Sequence, residues 1–294
     1  MPFFCSNLDV TKAKVRFATA ADLNRLSRLF CNGARCYYGF TNNNLPSLLA
    51  TMPATLLEAG PDLWATALVG WPIYDTTWLQ GVALAKGVQV EAGLELLLPP
   101  LHRALQIHGL ARIFYAADQS TDAWLLPSLQ KQGYVLDTEV VVYQKEKLNV
   151  PAKGNLTVQI RAANLHDLSV LTALDQSCFE AQWTKDKLLL STAILQGPFF
   201  IVAELARKIV GYAYATSHLG GHLVHLVRLA VRPQAQGQGI GVRLLAEVVA
   251  FARQQNADLL TLNTQAYNHR AQMLYEKFGF LLTDESQPVL RYDL

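Results

Sequence analysis

Cysteine is scarce in this chain, with four among 294 residues. The four are Cys5, Cys31, Cys36 and Cys178, and they include no Cys-x-x-Cys pair and no spacing typical of zinc ligands. Because nothing in this pattern demands pairing or metal, we predict reduced thiols, as in a cytoplasmic protein.

Long apolar runs and blocks of like charge are also missing. No apolar run approaches the roughly 18 residues that a membrane span needs. The opening MPFFCSNLDV has no basic residue before its short apolar run, so we expect neither a membrane partner nor a signal peptide. The formal net charge is only +2 and no basic block stands out, so nucleic acid is not an expected partner. The chain is instead 51% hydrophobic, which is enough for a sizeable core.

Two stretches of the sequence share one pattern. VRFATAADLNRLSRLF, from Val15, and VQIRAANLHDLSVLTAL, from Val158, each read as a short strand, a polar cap and leucines at helical spacing. Later, both halves finish a helix at Lys-x-Gly-aromatic, with Gly133 and Gly279 where a left-handed helix C-cap favours glycine. We infer a tandem duplication of one folding unit.

The joint between the two copies is predicted at NVPAKGN (149–155), where Pro, Gly and Asn cluster. This divides the chain into domains 1–150 and 151–294. In the second domain the pattern predicts antiparallel strands, then a strand–helix–strand crossover, a helix and two terminal strands. We therefore predict an α/β fold in both domains, with a mixed, mainly antiparallel sheet flanked by helices.

Three glycines fall within five residues of QAQGQGIG (234–241), between a strand-like run (223–231) and a long helical pattern (242–255). A helix N-terminus offers unpaired amides and a positive dipole end to an anion, and Gly237, Gly239 and Gly241 keep side chains out of its way. We expect a pyrophosphate on the amides of 236–242; a glycine-rich turn without a ligand is the alternative. The spacing fits neither GxGxxG nor a P-loop.

Two motifs of the second half resemble the GNAT superfamily of N-acetyltransferases. The acetyl-CoA-binding motif is matched by Gln236-x-x-Gly239-x-Gly241 after Leu229-Ala230-Val231-Arg232-Pro233, and the next motif by Asn268-x-x-Ala271-x-x-Leu274-Tyr275-Glu276-x-x-Gly279-Phe280. The resemblance implies acetyl-CoA as co-substrate and a strand, ending at Val231, that splays from its neighbour to bind the pantetheine arm. The implied cofactor-binding residues are Leu229, Val231, Gln236, Gly237, Gln238, Gly239, Ile240, Gly241, Val242 and Asn268.

The resemblance also implies catalytic groups. Tyr275 matches the tyrosine that the family often uses as the acid for the leaving thiolate; an aromatic side chain packed on the sheet is the alternative. His225 stands six residues before Val231, where many relatives carry a glutamate base, and a reference pKa near 6.5 would suit that task. Ribosomal-protein alanine acetyltransferases carry a glutamate at the position of Asn263, which cannot act as a base.

The acceptor is expected to be a primary amine of a small molecule or of a protein N-terminus. In the family the corresponding helix–helix region walls the acceptor site, so Phe179, Glu180 and Trp183 are candidate substrate contacts. A non-catalytic acyl-CoA sensor is the alternative function. The three histidines of 218–225 cross a Gly-Gly hairpin without a nearby carboxylate or cysteine, so we expect no metal.

The first half does not repeat these motifs. Alignment of the two long helices puts Glu91 in the place of Gly239, where a carboxylate would repel a pyrophosphate. Leu129 falls in the place of Tyr275. Domain 1–150 is therefore predicted to be a degenerate repeat without a cofactor motif.

Overall fold

The computed structural model describes residues 8–41, 43–117 and 123–294, so Cys5 lies outside the described residues. They form two compact units: unit 1 holds the described residues up to Thr138 together with Gln287–Leu294, and unit 2 holds Glu139–Ser286. The boundary predicted at 150/151 therefore falls inside unit 2. No helix among the described residues is long and apolar enough to cross a membrane.

Unit 1 is built from strands and short helices around one long, leucine-rich helix. Its elements are β1 (Lys14–Phe17), α1 (Leu23–Asn32), β2 (Arg35–Tyr38), α2 (Leu45–Thr51), β3 (Ala54–Ala59), β4 (Asp62–Val69), β5 (Thr76–Leu84), α3 (Val90–Ile107), β6 (Arg112–Ala116), α4 (Leu125–Lys131) and the start of β7 (Val135–Lys145). Leu94, Leu97 and Leu101 of α3 recur at helical spacing and are fully buried, which places α3 against the sheet.

Unit 2 repeats this order without a counterpart of β2. Its elements are β8 (Gln159–Ala162), α5 (Leu168–Cys178), α6 (Lys187–Gln196), β9 (Phe199–Leu205), β10 (Lys208–His218), β11 (Leu223–Val231), α7 (Ile240–Gln254), β12 (Leu259–Gln265), α8 (His269–Lys277) and β13 (Leu281–Asp293). The prediction of two terminal strands is wrong, because β13 is one strand. From Gln287 onward it belongs to unit 1, where Val289–Asp293 pairs with β6.

The sheet of unit 2 has the strand order β8-β9-β10-β11-β12-β7. Every one of these pairs is antiparallel except β11 with β12, which α7 connects as a crossover. The last strand of this order comes from Val140–Lys145 of β7, which explains why the boundary between the units lies before residue 150. The predicted α/β fold with a mainly antiparallel sheet is confirmed.

One partly buried ionic cluster occurs at the same place in both units. In each, an arginine of the first strand donates hydrogen bonds of 2.7–3.0 Å to an aspartate and a glutamate. The clusters are Arg16, Asp22 and Glu58 in unit 1, and Arg161, Asp167 and Glu204 in unit 2. The arginine's hydrogen bonds hold the pKa of each aspartate below its usual range. Gly133 and Gly279 also match, with φ of +90° and +78° after their helices, as predicted.

Candidate active site

The strands β11 and β12 separate midway along their length. They pair in parallel, Leu223–Leu226 with Leu259–Leu262, and among the described residues β11 makes no further pair with β12. A bulge at Val227, opposite the step from Tyr214 to Ala215 in β10, marks the point of separation. Since a bulge bends its strand, the last residues of β11 turn one backbone edge toward open space instead of toward β12.

A cleft of about 520 Å³ occupies this separation. Its walls are the ends of β11 and β12, the glycine-rich turn, the start of α7 and one face of α8. Nine of the predicted cofactor residues line it: Leu229, Val231, Gln236, Gly237, Gly239, Ile240, Gly241, Val242 and Asn268. Gln238 does not. Along the described wall the charged side chains are Arg228 and Arg270, with no carboxylate, which suits an anionic ligand.

The glycine-rich turn holds its backbone in a shape that other residues rarely adopt. Gly237 and Gly239 have φ of +81° and +75°, and Gly239 is the N-cap of α7. A Cβ on Gly241 would lie 3.5 Å from the Leu274 side chain, an ordinary contact distance, so packing within the protein does not require glycine at this position. Because Gly239 and Gly241 carry no side chains, the amides at the start of α7 are accessible from the cleft.

Gln236 ties this turn to its surroundings. Its Nε2 donates to the carbonyl of Val231 at 2.9 Å, and its Oε1 accepts a hydrogen bond from Arg270 on α8. The side chain thus fixes the exit from β11 and holds an exposed cation at the edge of the cleft. A positive charge in that place would attract the phosphates of a bound nucleotide.

Tyr275 of α8 lines the cleft although its side chain is buried. Burial raises its pKa to about 12, so the hydroxyl stays protonated at neutral pH and can donate. Asn268 caps the same helix, with its side chain accepting from the Ala271 amide at 3.2 Å. Tyr275 is therefore a packed aromatic residue and Asn268 a helix cap, and both also line the cleft.

His225 lies outside the set of residues that line the cleft. It belongs to the paired part of β11, where its Nδ1 is 2.9 Å from Oγ1 of Thr261. Burial, with His218 nearby, lowers its pKa. His222 contacts the Asp258 carboxylate at 2.8 Å, so the expectation that no carboxylate lies near these histidines is wrong, because β12 brings Asp258 beside them from 36 residues away. No group of three or more His, Cys, Asp or Glu within the described ranges could hold a metal ion.

The connection between α5 and α6 borders the cleft on one side. Phe179 lines the cleft, whereas Glu180 and Trp183 lie beside it. Glu180 accepts a hydrogen bond of 3.3 Å from the Tyr267 hydroxyl, which belongs to the loop between β12 and α8. The Trp183 carbonyl accepts from Arg228 at 2.8 Å.

A buried ion pair that the sequence analysis did not identify holds this connection against β11. Asp175 of α5 is fully buried and accepts two hydrogen bonds of 2.8 Å from Arg228, which is 9% exposed. The Asp175 carboxylate also accepts from the Tyr212 hydroxyl and from the Lys185 amide. The guanidinium stacks on Phe179, 3.3 Å from the ring centroid, so the pair also positions one wall of the cleft.

Residues 168–280 match the acetyltransferase (GNAT) family. The chain contains a GNAT acetyltransferase domain. Members of this family use acetyl-CoA, and the splayed strands, glycine turn and α8 of unit 2 all lie within the matched residues.

Three similar proteins illustrate the range of the match. A putative [ribosomal protein bS18]-alanine N-acetyltransferase of Bacillus subtilis is 28% identical over 41% of this chain and 78% of its own length. Mouse N-acetyltransferase 8F1 is 37% identical over 29% of this chain and only 40% of its own length. A tandem GNAT protein from the clavulanic acid biosynthesis pathway superposes with a TM-score of 0.59 over 96% of this chain and 98% of its own, at 11% identity, which shows a shared fold.

Unit 1 contains the same separation of strands, but its own chain fills it. Among the described residues, β5 and β6 pair in parallel over Thr76–Trp78 and Arg112–Phe114 and no further. Beyond that point β2 pairs with β5, from Arg35 opposite Leu84 to Tyr38 opposite Gly81. The backbone edge that borders the cleft in the GNAT domain is therefore already hydrogen-bonded in unit 1.

The two long helices also begin differently. α3 has Gln89 as its N-cap, so the helix starts place Gln89, and not Glu91 as predicted, opposite Gly239. The predicted alignment matched Leu96-Leu97 with Leu244-Leu245 and differs by two residues from the alignment of the helix starts, because α3 begins at Val90 and α7 at Ile240. Glu91 still lies in the first turn of α3, paired with Lys131 at 3.0 Å.

Loss of Arg228 should destabilise unit 2 strongly. Arg228→Met leaves the buried Asp175 carboxylate without its cation, and such losses cost about 3–5 kcal/mol of unfolding free energy. Lys131→Met, which removes the exposed pair with Glu91, should cost under about 1 kcal/mol. Urea-induced unfolding of both variants checks this, and equal losses in the two would contradict the importance assigned to the buried pair.

Proposed function

We propose that this protein is an acetyl-CoA-dependent N-acetyltransferase that acetylates the primary amine of a small molecule or a protein N-terminus. The observation that carries the proposal is the cleft between the splayed strands, which is lined by an open strand edge, a glycine-rich helix start and Tyr275. Acetyl-CoA would place its pantetheine arm along β11 and its pyrophosphate on the amides of 236–242.

The reaction needs few groups from the protein. The neutral amine attacks the thioester carbonyl carbon, a C–N bond forms, and the C–S bond breaks to release the coenzyme A thiolate. Tyr275, which is protonated at neutral pH, gives its proton to that thiolate and regains one from solvent after the product leaves. The proton lost by the amine leaves through water, for which His225 is our candidate acceptor.

Acetyl-CoA binding is assigned to unit 2 alone. In unit 1 the strand β2 takes the hydrogen bonds that a pantetheine arm would need, and Glu91 stands in the first turn of α3. We therefore interpret unit 1 as a degenerate repeat. The contrast rests on backbone pairing in unit 1 and its absence between the described strands of unit 2.

The acceptor amine is assigned to the side of the cleft bordered by Phe179, Glu180 and Trp183. Glu180 carries a carboxylate held toward Tyr267, and such a group would attract an ammonium before deprotonation. The Bacillus relative is named for a protein N-terminal alanine. In this chain Asn263 lines the cleft where that class carries a glutamate, so the amine would lose its proton by another route.

A screen of amines tests the proposal directly. The protein is incubated with acetyl-CoA and panels of amino acids, polyamines, aminoglycosides and short peptides, and free thiol is followed. We expect release above the rate of hydrolysis for at least one panel, together with an acetylated product. Binding of acetyl-CoA without acetylation in any panel would contradict the enzyme and favour a sensor.

Gly239→Glu should abolish tight binding of coenzyme A. A Cβ at Gly239, where φ is positive, would lie 3.3 Å from the backbone nitrogen of Asn155, so the substitution strains the turn. It also adds a negative charge to the residue whose amide would hold the pyrophosphate, so the Kd should rise at least 100-fold. Gly220→Glu is the matched control, because Gly220 also has a positive φ (+68°) and lies exposed in a turn away from the cleft. Calorimetry measures both, and an unchanged Kd for Gly239→Glu would mean that the pyrophosphate lies elsewhere.

Tyr275→Phe keeps the packed ring and removes one hydroxyl. If that hydroxyl protonates the leaving thiolate, kcat should fall by roughly 10²–10⁴-fold while the Kd for coenzyme A barely changes. Tyr143→Phe is the control, since Tyr143 packs 6.0 Å from Tyr275 but does not line the cleft. A kcat equal in the two variants would assign Tyr275 to the core.

If His225 accepts the proton of the amine, kcat/KM should depend on pH. Because burial lowers its pKa below about 6.5, kcat/KM should rise with pH through a value in the acidic range as the imidazole loses its proton. His225→Gln should remove this limb and slow the reaction, whereas His222→Gln should change neither. Acceptors of different pKa identify the limb of the amine itself. A limb that follows the acceptor and persists in His225→Gln would make His225 structural.

A further inference from the structure

The segment that precedes β8 contacts the glycine-rich turn from outside the cleft. Gly154 and Asn155 lie beyond residues 168–280, the part of the chain that matches the GNAT family. Asn155 donates its backbone N–H to the carbonyl of Gly239 at 3.2 Å and its side-chain Nδ2 to the carbonyl of Gln238 at 2.9 Å. Two consecutive carbonyls of the turn are therefore held by one residue.

These two hydrogen bonds fix the direction of two amides. In a trans peptide the C=O and the following N–H point in opposite directions. Holding the carbonyl of Gln238 thus orients the N–H of Gly239. The carbonyl of Gly239 also accepts from the Arg243 N–H at 3.0 Å, as the first hydrogen bond of α7, so Asn155 and the helix together orient the N–H of Ile240. Gly239 and Ile240 both line the cleft, where the pyrophosphate would accept hydrogen bonds.

Gly154 allows the close approach that Asn155 needs. Its φ is +67°, and a Cβ there would lie 2.7 Å from the carbonyl oxygen of Gly239, too close for any side chain. The other end of the Asn155 amide is also engaged, since its Oδ1 accepts from the N–H and hydroxyl of Thr157 at 2.9 and 2.7 Å. The side chain is therefore locked with its donor toward Gln238.

We propose that Gly154 and Asn155 are positioning residues for the pyrophosphate of acetyl-CoA, acting by aligning the amides of Gly239 and Ile240. This rests on the proposed acetyl-CoA site. It gives the predicted joint between the two repeats a second role, as part of the cofactor site of unit 2. A turn with two glycines at positive φ is costly to order, so holding it before the ligand arrives improves affinity.

The test compares substitutions that separate the two ends of the Asn155 side chain. Asn155→Ala removes the side-chain donor to Gln238 and the side-chain acceptor for Thr157. The Kd for coenzyme A should rise roughly 3- to 10-fold, the effect of one lost hydrogen bond. Asn155→Asp keeps an acceptor for Thr157 but replaces the donor by a carboxylate oxygen, so its Kd should rise at least as much. Thr157→Val should stay within about twofold of the wild type. Gly154→Ala should weaken binding more than Asn155→Ala.

Calorimetric titration of coenzyme A into each full-length variant gives the Kd, and the melting temperature without ligand reports folding. A Kd for Asn155→Ala within twofold of the wild type would overturn the proposal. So would wild-type affinity in Asn155→Asp, because Asn155 would then act through Thr157 alone. If the wild-type protein itself does not bind coenzyme A, the proposed function fails, which is a different result from a positioning failure.

Discussion

The end of pairing between β11 and β12 is the constraint on which the site depends. Strands that stayed paired to Val231 would close the sheet and bury the edge that borders the cleft. The bulge at Val227 sets the residue at which the strands separate. It thereby also sets the positions of the end of β11, the glycine-rich turn and the start of α7. Unit 1 shows the alternative, because its own β2 satisfies the corresponding edge.

A separated pair of strands needs support, and unit 2 supplies it from two directions. On one side the buried Arg228–Asp175 pair fixes α5 and Phe179 to β11 just beyond the bulge. On the other side Gln236 and Asn155 hold the turn that follows β11. Hydrogen bonds and ion pairs depend on the direction of their groups, and the groups named here have partners. They therefore specify one arrangement of the cleft, whereas apolar packing alone would allow several.

The sequence predicted local features better than pairings between distant residues. β11 was predicted at its observed bounds and α7 within two residues, because glycines and apolar periodicity mark their ends. The passage of β13 from unit 2 to unit 1 could not be predicted, since only its partner β6 decides it. Arg228 stands alone in an apolar strand and Asp175 in an apolar helix, which is a usable signal for a buried pair. The place of His225 outside the cleft depends on where the bulge falls, which no local pattern indicates.

The most direct test of this account is the number of coenzyme A molecules that one chain binds. Isothermal titration calorimetry of the full-length protein should give one site per chain, because only unit 2 leaves its strand edge open. Two equivalent sites would contradict the interpretation that β2 closes unit 1, and no binding at all would contradict the acetyl-CoA site itself.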